Sequence, residues 1–350
     1  MNEVVDFRGR TFLERVSLAA REPVYSAAFA WVLGEHSPLP LKNRLSIIRN
    51  TFGVDAPSGE WIETITEWND VDLLLTVKRK AGDVHIAIEN KIKATEGVQQ
   101  LAIYDQELMK LSGPVQKVFL TLTGEAPRSG SGWNPVSYSS LSSALSAQGL
   151  QTDPYYTDLC RALSRLVAVA RDVRDNQELV GFAFDDESVL TGNDLTTYVA
   201  EMRLKKVAQR IWMGELAGKL GVAPPWQISI NESHGQALIN VEASLAEIPG
   251  YLIGLQLQWR TLKAFCSPHP YPKVATEVQH RDIEDILDKI RSNLSLAAGA
   301  RASRAQGRGF RSFSVATLPA GRNLNDWVGV VGPHLFNLNA AFPTVRTPAT

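Results

Sequence analysis

The spacing of apolar positions along the chain shifts repeatedly, and each shift marks an element. From 8 to 34, Phe12, Val16, Ala19, Ala20, Val24, Ala27 and Trp31 recur every three or four residues, the spacing of one helical face. Pro23 falls inside that run, and its fixed φ and missing N–H split the stretch into two helices. A further helix is expected over 41–52, ending at Gly53. The pattern then shortens: 61–68, 71–77 and 84–92 alternate or run apolar, which is strand behaviour. Helical periodicity returns over 95–111 through Val98, Leu101, Leu108 and Leu111, and a short buried strand is expected at 115–122. The Ser- and Gly-rich 127–135 reads as a loop. A strong stripe of Leu159, Leu163, Leu166, Val167 and Ala170 makes 155–173 a helix. Helices alternating with strands in this order describe a compact α/β unit over 1–177.

The second half has a different texture. Residues 194–220 read as one long helix, 226–230, 236–241 and 252–259 as an antiparallel meander, and 281–296 as a helix. The boundary is expected within 177–190, with a second, α+β domain over 190–350.

Composition narrows the classes. With 350 residues, 44% hydrophobic and 21% charged, the chain resembles ordinary globular domains, which argues against disorder, collagen or coiled coil. Two cysteines, Cys160 and Cys266, cannot build a disulfide scaffold or a four-cysteine zinc site. The first residues are acidic where a signal peptide needs a basic segment and an apolar core. No run of about 18 apolar residues exists to span a membrane, so a cytoplasmic protein is expected. A formal charge of −1 argues against a histone-like coat and leaves room for an enzyme with one local basic groove.

One stretch carries candidate chemistry. Asp72 opens an apolar strand, and Glu89-Asn90-Lys91 closes the next. The turn signal Lys80-Ala81-Gly82-Asp83 lies midway between them, and a hairpin centred between Lys80 and Ala81 sets Asp72 opposite Glu89. Such partners stand about 4.5–5.5 Å apart at Cβ, close enough for one divalent cation to bridge them. Alternation puts Glu89 and Lys91 on one face and turns Asn90 away. Hard oxygen ligands select Mg²⁺ or Mn²⁺, and such an ion polarises a phosphodiester, while a lysine alongside orients the attacking water. Glu-x-Lys alone commonly marks a solvated strand face. Here the apolar His85-Ile86-Ala87-Ile88 leads straight into it, and polar groups at a buried strand end are costly unless paired or metal-bound. Gln100 and Tyr104 follow, four apart on one helical face. His85 reads as structural. Arg301, Arg304, Arg308 and Arg311 could track a phosphate backbone, with Phe310 or Phe313 stacking on a base; a solvated loop explains them equally well. Lys78, Arg79 and Lys80 at the hairpin turn have the same two readings.

Asp72, Glu89-Asn90-Lys91 and Gln100-Leu101-Ala102-Ile103-Tyr104 together resemble the PD-(D/E)XK nuclease superfamily, and the trailing Gln-x-x-x-Tyr is similar to its RecB-like branch. The resemblance covers about 1–125 and extends weakly to 176. It implies a restriction-endonuclease-like core, a mixed sheet flanked by helices, and a Mg²⁺- or Mn²⁺-dependent phosphodiesterase acting on nucleic acid, DNA by preference. Asp72 and Glu89 would hold the metal and Lys91 would serve the water. Glu22 would complete the metal set, with Glu14 and Glu35 as lesser candidates, and Asn90 is placed in that set too. Gln100 and Tyr104 would contact substrate or support the site. Val71-Asp72 replaces the usual Pro-Asp. The resemblance also implies a stand-alone bacterial enzyme of phage defence or repair, able to form a homodimer. The alternatives are an inactive nucleic-acid-binding or protein-interaction protein on the same fold, and a second half that itself recognises a protein or a nucleic-acid end.

Overall fold

The computed structural model describes residues 5–16, 21–56, 58–94, 96–97, 99–127, 132–150, 152–174, 176, 179, 183–184, 194–222, 224–233, 236–270, 275–294, 309–318 and 324–342. Contacts divide the chain into two units, 1–175 with 190–207, and 176–189 with 208–350.

In the first unit, helices α1 (Phe12–Val16), α2 (Glu22–Leu33) and α3 (Leu41–Phe52) precede strands β1 (Trp61–Trp68), β2 (Val71–Lys78) and β3 (Val84–Lys91). Helix α4 (Gln100–Leu108), strands β4 (Val115–Thr121) and β5 (Trp133–Ser137), and helices α5 (Tyr138–Ser146), α6 (Pro154–Asp172) and α7 (Asp194–Glu201) follow. The sheet order is β1-β2-β3-β4-β5. The first three strands are antiparallel neighbours and the last three are parallel. This is the mixed, helix-flanked sheet of a restriction-endonuclease-like α/β fold. Pro23 stands in the first turn of α2, where a missing N–H costs nothing, so it starts the second helix.

β1 turns into β2 through Asn69 and Asp70, both at positive φ, as a two-residue hairpin requires. β3 is buried along its whole length, because a strand covered on both faces has no solvent side. On one face, Leu101, Tyr104 and Leu108 of α4 pack with Val71, Leu74, Ala87, Phe119 and Trp133. Elsewhere, Tyr25 and Phe29 of α2 meet Tyr138 of α5. The expected loop at 127–135 runs into strand β5, and α5 follows at once. Its serines disguise it: the Ser137 side chain caps it by accepting from the Ser140 N–H at 3.1 Å, while Tyr138, Leu141 and Leu145 are buried.

The long helix expected over 194–220 is two helices, α7 and α8 (Lys205–Leu220). Arg203, at φ 50°, closes α7. The Leu204 N–H reaches the Val199 carbonyl and the Arg203 N–H the Ala200 carbonyl, the paired bonds of a Schellman end.

The second unit is α+β. Strands β6 (Gln227–Ser233), β7 (Gln236–Ser244), β8 (Tyr251–Gln258), β9 (Thr261–Pro268) and β10 (Arg311–Thr317), with helices α9 (Glu277–Asn293) and α10 (Leu324–Ala341), follow α8. All neighbouring strands are antiparallel, in the order β10-β9-β8-β7-β6. The meander is thus longer than expected by β9 and β10. No helix among the described residues is long and apolar enough to cross a membrane.

Candidate metal centre

The β2–β3 ladder sets Leu73 opposite Ile88 and Leu74 opposite Ala87. That register carries Asp72 opposite Glu89, on the sheet face that holds Leu74 and Ala87 against α4. Glu89 is fully buried. Its Oε1 accepts from Gln100 Nε2 at 2.8 Å and pairs with the Lys91 ammonium. Its Oε2 is buried with no hydrogen-bond partner among the described residues. Burial first, and the Asp72 charge second, push Glu89 up to about 8. Burial also raises Asp72, against the Asn90 N–H and the Lys91 charge, which lower it. With Glu89 Oε2 left without a donor among the described residues, the polar site is incomplete.

Gln100 does two jobs. Besides Glu89, its Nε2 donates to the Tyr104 hydroxyl at 2.6 Å, and its Oε1 accepts from the Gly97 N–H. Gln100 and Tyr104 therefore hold the Glu89 carboxylate in place. Burial pushes the Tyr104 phenol up to about 12, so the ring stays neutral beside the carboxylates.

Asn90 points to the other side of the strand. Its Nδ2 donates to the Glu22 carbonyl at 3.2 Å and to Ser26 Oγ at 3.0 Å, and its Oδ1 accepts from Tyr138 at 2.6 Å. Its backbone N–H donates to Asp72 Oδ2 at 2.7 Å. The expected metal role does not fit this side chain, because period-two alternation takes it away from Glu89 and into bonds with α2 and α5. Ser26 and Tyr138 escaped the sequence reading, since no short-range spacing joins them to β3.

Glu22 also sits differently from the expectation. Its Oε1 accepts the backbone N–H groups of Ile92, Lys93 and Ala94 at 3.1, 2.6 and 3.1 Å. Burial opposes its charge, yet those donors prevail and hold it below the usual carboxylate range. It ties the start of α2 to the chain leaving β3, and its charge reaches Asp72. Among the described residues no three acidic, His or Cys side chains form a closed metal cage, so Glu22 does not complete one with Asp72 and Glu89. Of the lesser candidates, Glu14 is buried against Arg165 and Glu35 pairs with His36 at the surface.

The other candidates resolve as structure. His85 bonds Thr76 and the Ser112 carbonyl, each at 3.0 Å. Lys78 pairs with Glu63 and Asp83, Arg79 with the Gly82 carbonyl, and Lys80 with Glu60. Arg301, Arg304 and Arg308 lie outside the described residues. Arg311 does not act as an open phosphate contact: its guanidinium pairs with Glu284. Phe310 stacks on Phe265 and Phe313 is buried beneath Arg291, so neither ring is a base platform.

The unpartnered Glu89 oxygen, facing a second carboxyl, is what a hard divalent cation would satisfy. A pair of carboxylates suits Mg²⁺ or Mn²⁺, which keep several waters of their own. Against known proteins, the profile of the PD-(D/E)XK nuclease superfamily matches residues 47–180. No curated protein and no solved structure matches the chain. The matched span holds all five strands of the first sheet with Asp72, Glu89, Lys91, Gln100 and Tyr104. A pattern match and an incomplete acidic pair at the end of a buried strand agree: residues 47–180 belong to the PD-(D/E)XK nuclease superfamily, and the chain carries a nuclease-type domain.

Proposed function

We propose that the protein hydrolyses phosphodiester bonds in DNA with the aid of Mg²⁺ or Mn²⁺. Asp72 and Glu89 hold the ion, and Glu22 adds a negative charge beside them. A bound divalent cation supplies Lewis-acid polarisation of the phosphoryl group and offsets its charge. Lys91 orients the attacking water and stabilises charge on the phosphoryl oxygens as the bond breaks. Gln100, braced by Tyr104, keeps Glu89 aimed. The observation that carries this reading is the buried Oε2 of Glu89, which has no donor among the described residues while Asp72 and Lys91 stand next to it. A stand-alone cytoplasmic enzyme acting on foreign DNA, alone or as a homodimer, is the setting that goes with this reading.

The test is cleavage of plasmid and linear DNA under EDTA, Mg²⁺ and Mn²⁺. Metal-dependent cleavage is expected from the native protein. Lys91→Ala, Asp72→Ala and Glu89→Ala should each lower it by about 10³-fold or more, as loss of a main electrostatic group does, with circular dichroism unchanged. Equal metal-dependent cleavage by native protein and Lys91→Ala would overturn the assignment.

A further inference from the structure

The sequence directs attention to Arg301–Arg311 as the basic surface, but the first unit holds another. A cleft of about 330 Å³ is lined by Arg10, Arg15, Arg21, Arg203, Glu14, Glu201 and Met202. Its two carboxylates are already matched: Glu14 by Arg165 at 2.8 Å and Glu201 by Arg10 at 2.5 Å. Arg15, Arg21 and Arg203 are exposed, so the cleft has an excess of positive charge.

The cleft is linked to the acidic pair by Glu22, whose charge reaches Asp72. Arg21 directly precedes Glu22, whose carboxylate grips the Lys93 N–H. Burial brings the Lys93 ammonium down to about 8; Glu22 opposes that shift, and the charges of Arg203, Arg21 and Lys206 add to it. Cations on three separate segments thus crowd around the exit of β3. Glu22 offsets part of this charge, and the exposed Arg15, Arg21 and Arg203 leave the cleft a net positive field that draws an anionic partner.

Arg203 adds an independent observation. It occupies the left-handed position that ends α7, where glycine is the usual residue because a Cβ is strained there. The fold would be served at least as well by glycine, so the guanidinium is carried at the expense of backbone comfort. Such strain gathers at sites that bind ligands.

We propose that Arg15, Arg21 and Arg203 receive the phosphate backbone of the DNA strand whose scissile bond is presented to Asp72, Glu89 and Lys91. This assignment rests on the nuclease reading above. Guanidinium groups suit the task because their planar fork takes two phosphate oxygens at once.

Two substitutions test it with little cost to the fold. Arg203→Gly suits the left-handed turn. Arg21→Gln keeps the extended backbone at the start of α2, where the side chain makes no cap bond. Binding of a short fluorescein-labelled DNA duplex is followed by anisotropy in Ca²⁺ across a salt series, with full-length protein, alongside cleavage by the native protein in Mg²⁺ and Mn²⁺. Each variant should weaken binding by about three- to tenfold and reduce the slope of log affinity against log salt by about one. Arg203→Gly should keep or raise the melting temperature. If the native protein cleaves and both variants bind as it does, the track is wrong and the nuclease reading stands. If the variants weaken binding but the native protein cleaves nothing, the track survives and the nuclease reading falls. If the native protein neither binds nor cleaves the duplex, both are overturned.

Discussion

Two buried carboxylates in the first unit, Glu14 and Glu89, are solved in opposite ways. Glu14 is 2% exposed and its oxygens are bonded. Oε2 accepts the Thr11 N–H and Arg165 Nη1, each at 2.8 Å, and Oε1 accepts the Tyr198 hydroxyl at 2.8 Å. Arg165 in turn donates to the carbonyls of Asp6, Arg8 and Gly9. A charge taken from water and fully repaired in this way is a fastening. Glu89 is repaired on one oxygen only, and its other oxygen looks towards a second carboxyl. A fold can carry that deficit when something outside the chain supplies the missing positive charge. Saturation separates the structural carboxylate from the one proposed to hold a metal, although burial alone ranks them alike.

The comparison breaks most visibly at Glu14. Glu14→Gln leaves the Arg165 guanidinium buried without its counter-charge, and losing one partner of a buried pair costs about 3–5 kcal/mol. For a domain of this size that is a drop of about 6–20 °C in melting temperature, read by calorimetry or circular dichroism. Surviving folded protein should retain metal-dependent cleavage. A Glu14→Gln protein as stable as the native one would show that the ion pair at 2.8 Å is not the fastening described.

Glu89 gives a dependence on pH. Its pKa lies near 8 in the folded chain against an ordinary value of 4.5, so the native state binds this proton more tightly than the unfolded state does. The resulting stabilisation is complete below about 4.5 and is lost as pH rises towards 8. In EDTA, stability and with it the melting temperature should therefore fall over that window, and Glu89→Gln should flatten the fall. A divalent cation competes with the same proton, so Mn²⁺ should stabilise the protein more at pH 8 than at pH 5. Equal stabilisation at both values would mean that the ion does not displace a proton from Glu89.

Much of this arrangement was legible from short-range pattern. The hairpin register follows from the position of Gly82 and the alternation around it, and so do the shared face of Glu89 and Lys91 and the turning away of Asn90. What could not be read depends on contacts between distant segments. Nothing near Glu22 says that its carboxylate will meet three N–H groups some 70 residues later. Tyr138 sits just past the expected loop at 127–135, in a serine-rich stretch with no clear period, yet it closes the bond network behind Asn90. Arg203 lay inside what reads as one continuous helix, because hydrophobic period carries no information on a single left-handed residue. Charge clusters misled for a related reason. Lys78, Lys80 and Arg311 stand out along the chain, but strand pairing and packing bring each an acid.

Two tyrosines sharpen the comparison at its fine end. The Tyr198 hydroxyl donates directly to Glu14, so Tyr198→Phe strips a buried carboxylate oxygen of its donor and should cost about 1–3 kcal/mol. The Tyr104 hydroxyl instead accepts from Gln100 Nε2, which has a second hydrogen for Glu89. Tyr104→Phe leaves that second bond in place and should cost about 1 kcal/mol or less. Its effect belongs in the chemistry: a looser Gln100 lets Glu89 wander, and a cleavage rate reduced about two- to fivefold is expected, since a small misplacement is felt in rate before it is felt in stability. The two variants should therefore separate on a plot of rate against melting temperature, Tyr198→Phe moving along the stability axis and Tyr104→Phe along the rate axis. If Tyr104→Phe moved only stability, the Gln100–Tyr104 pair would be a brace for the α4 packing and no part of the aim of Glu89.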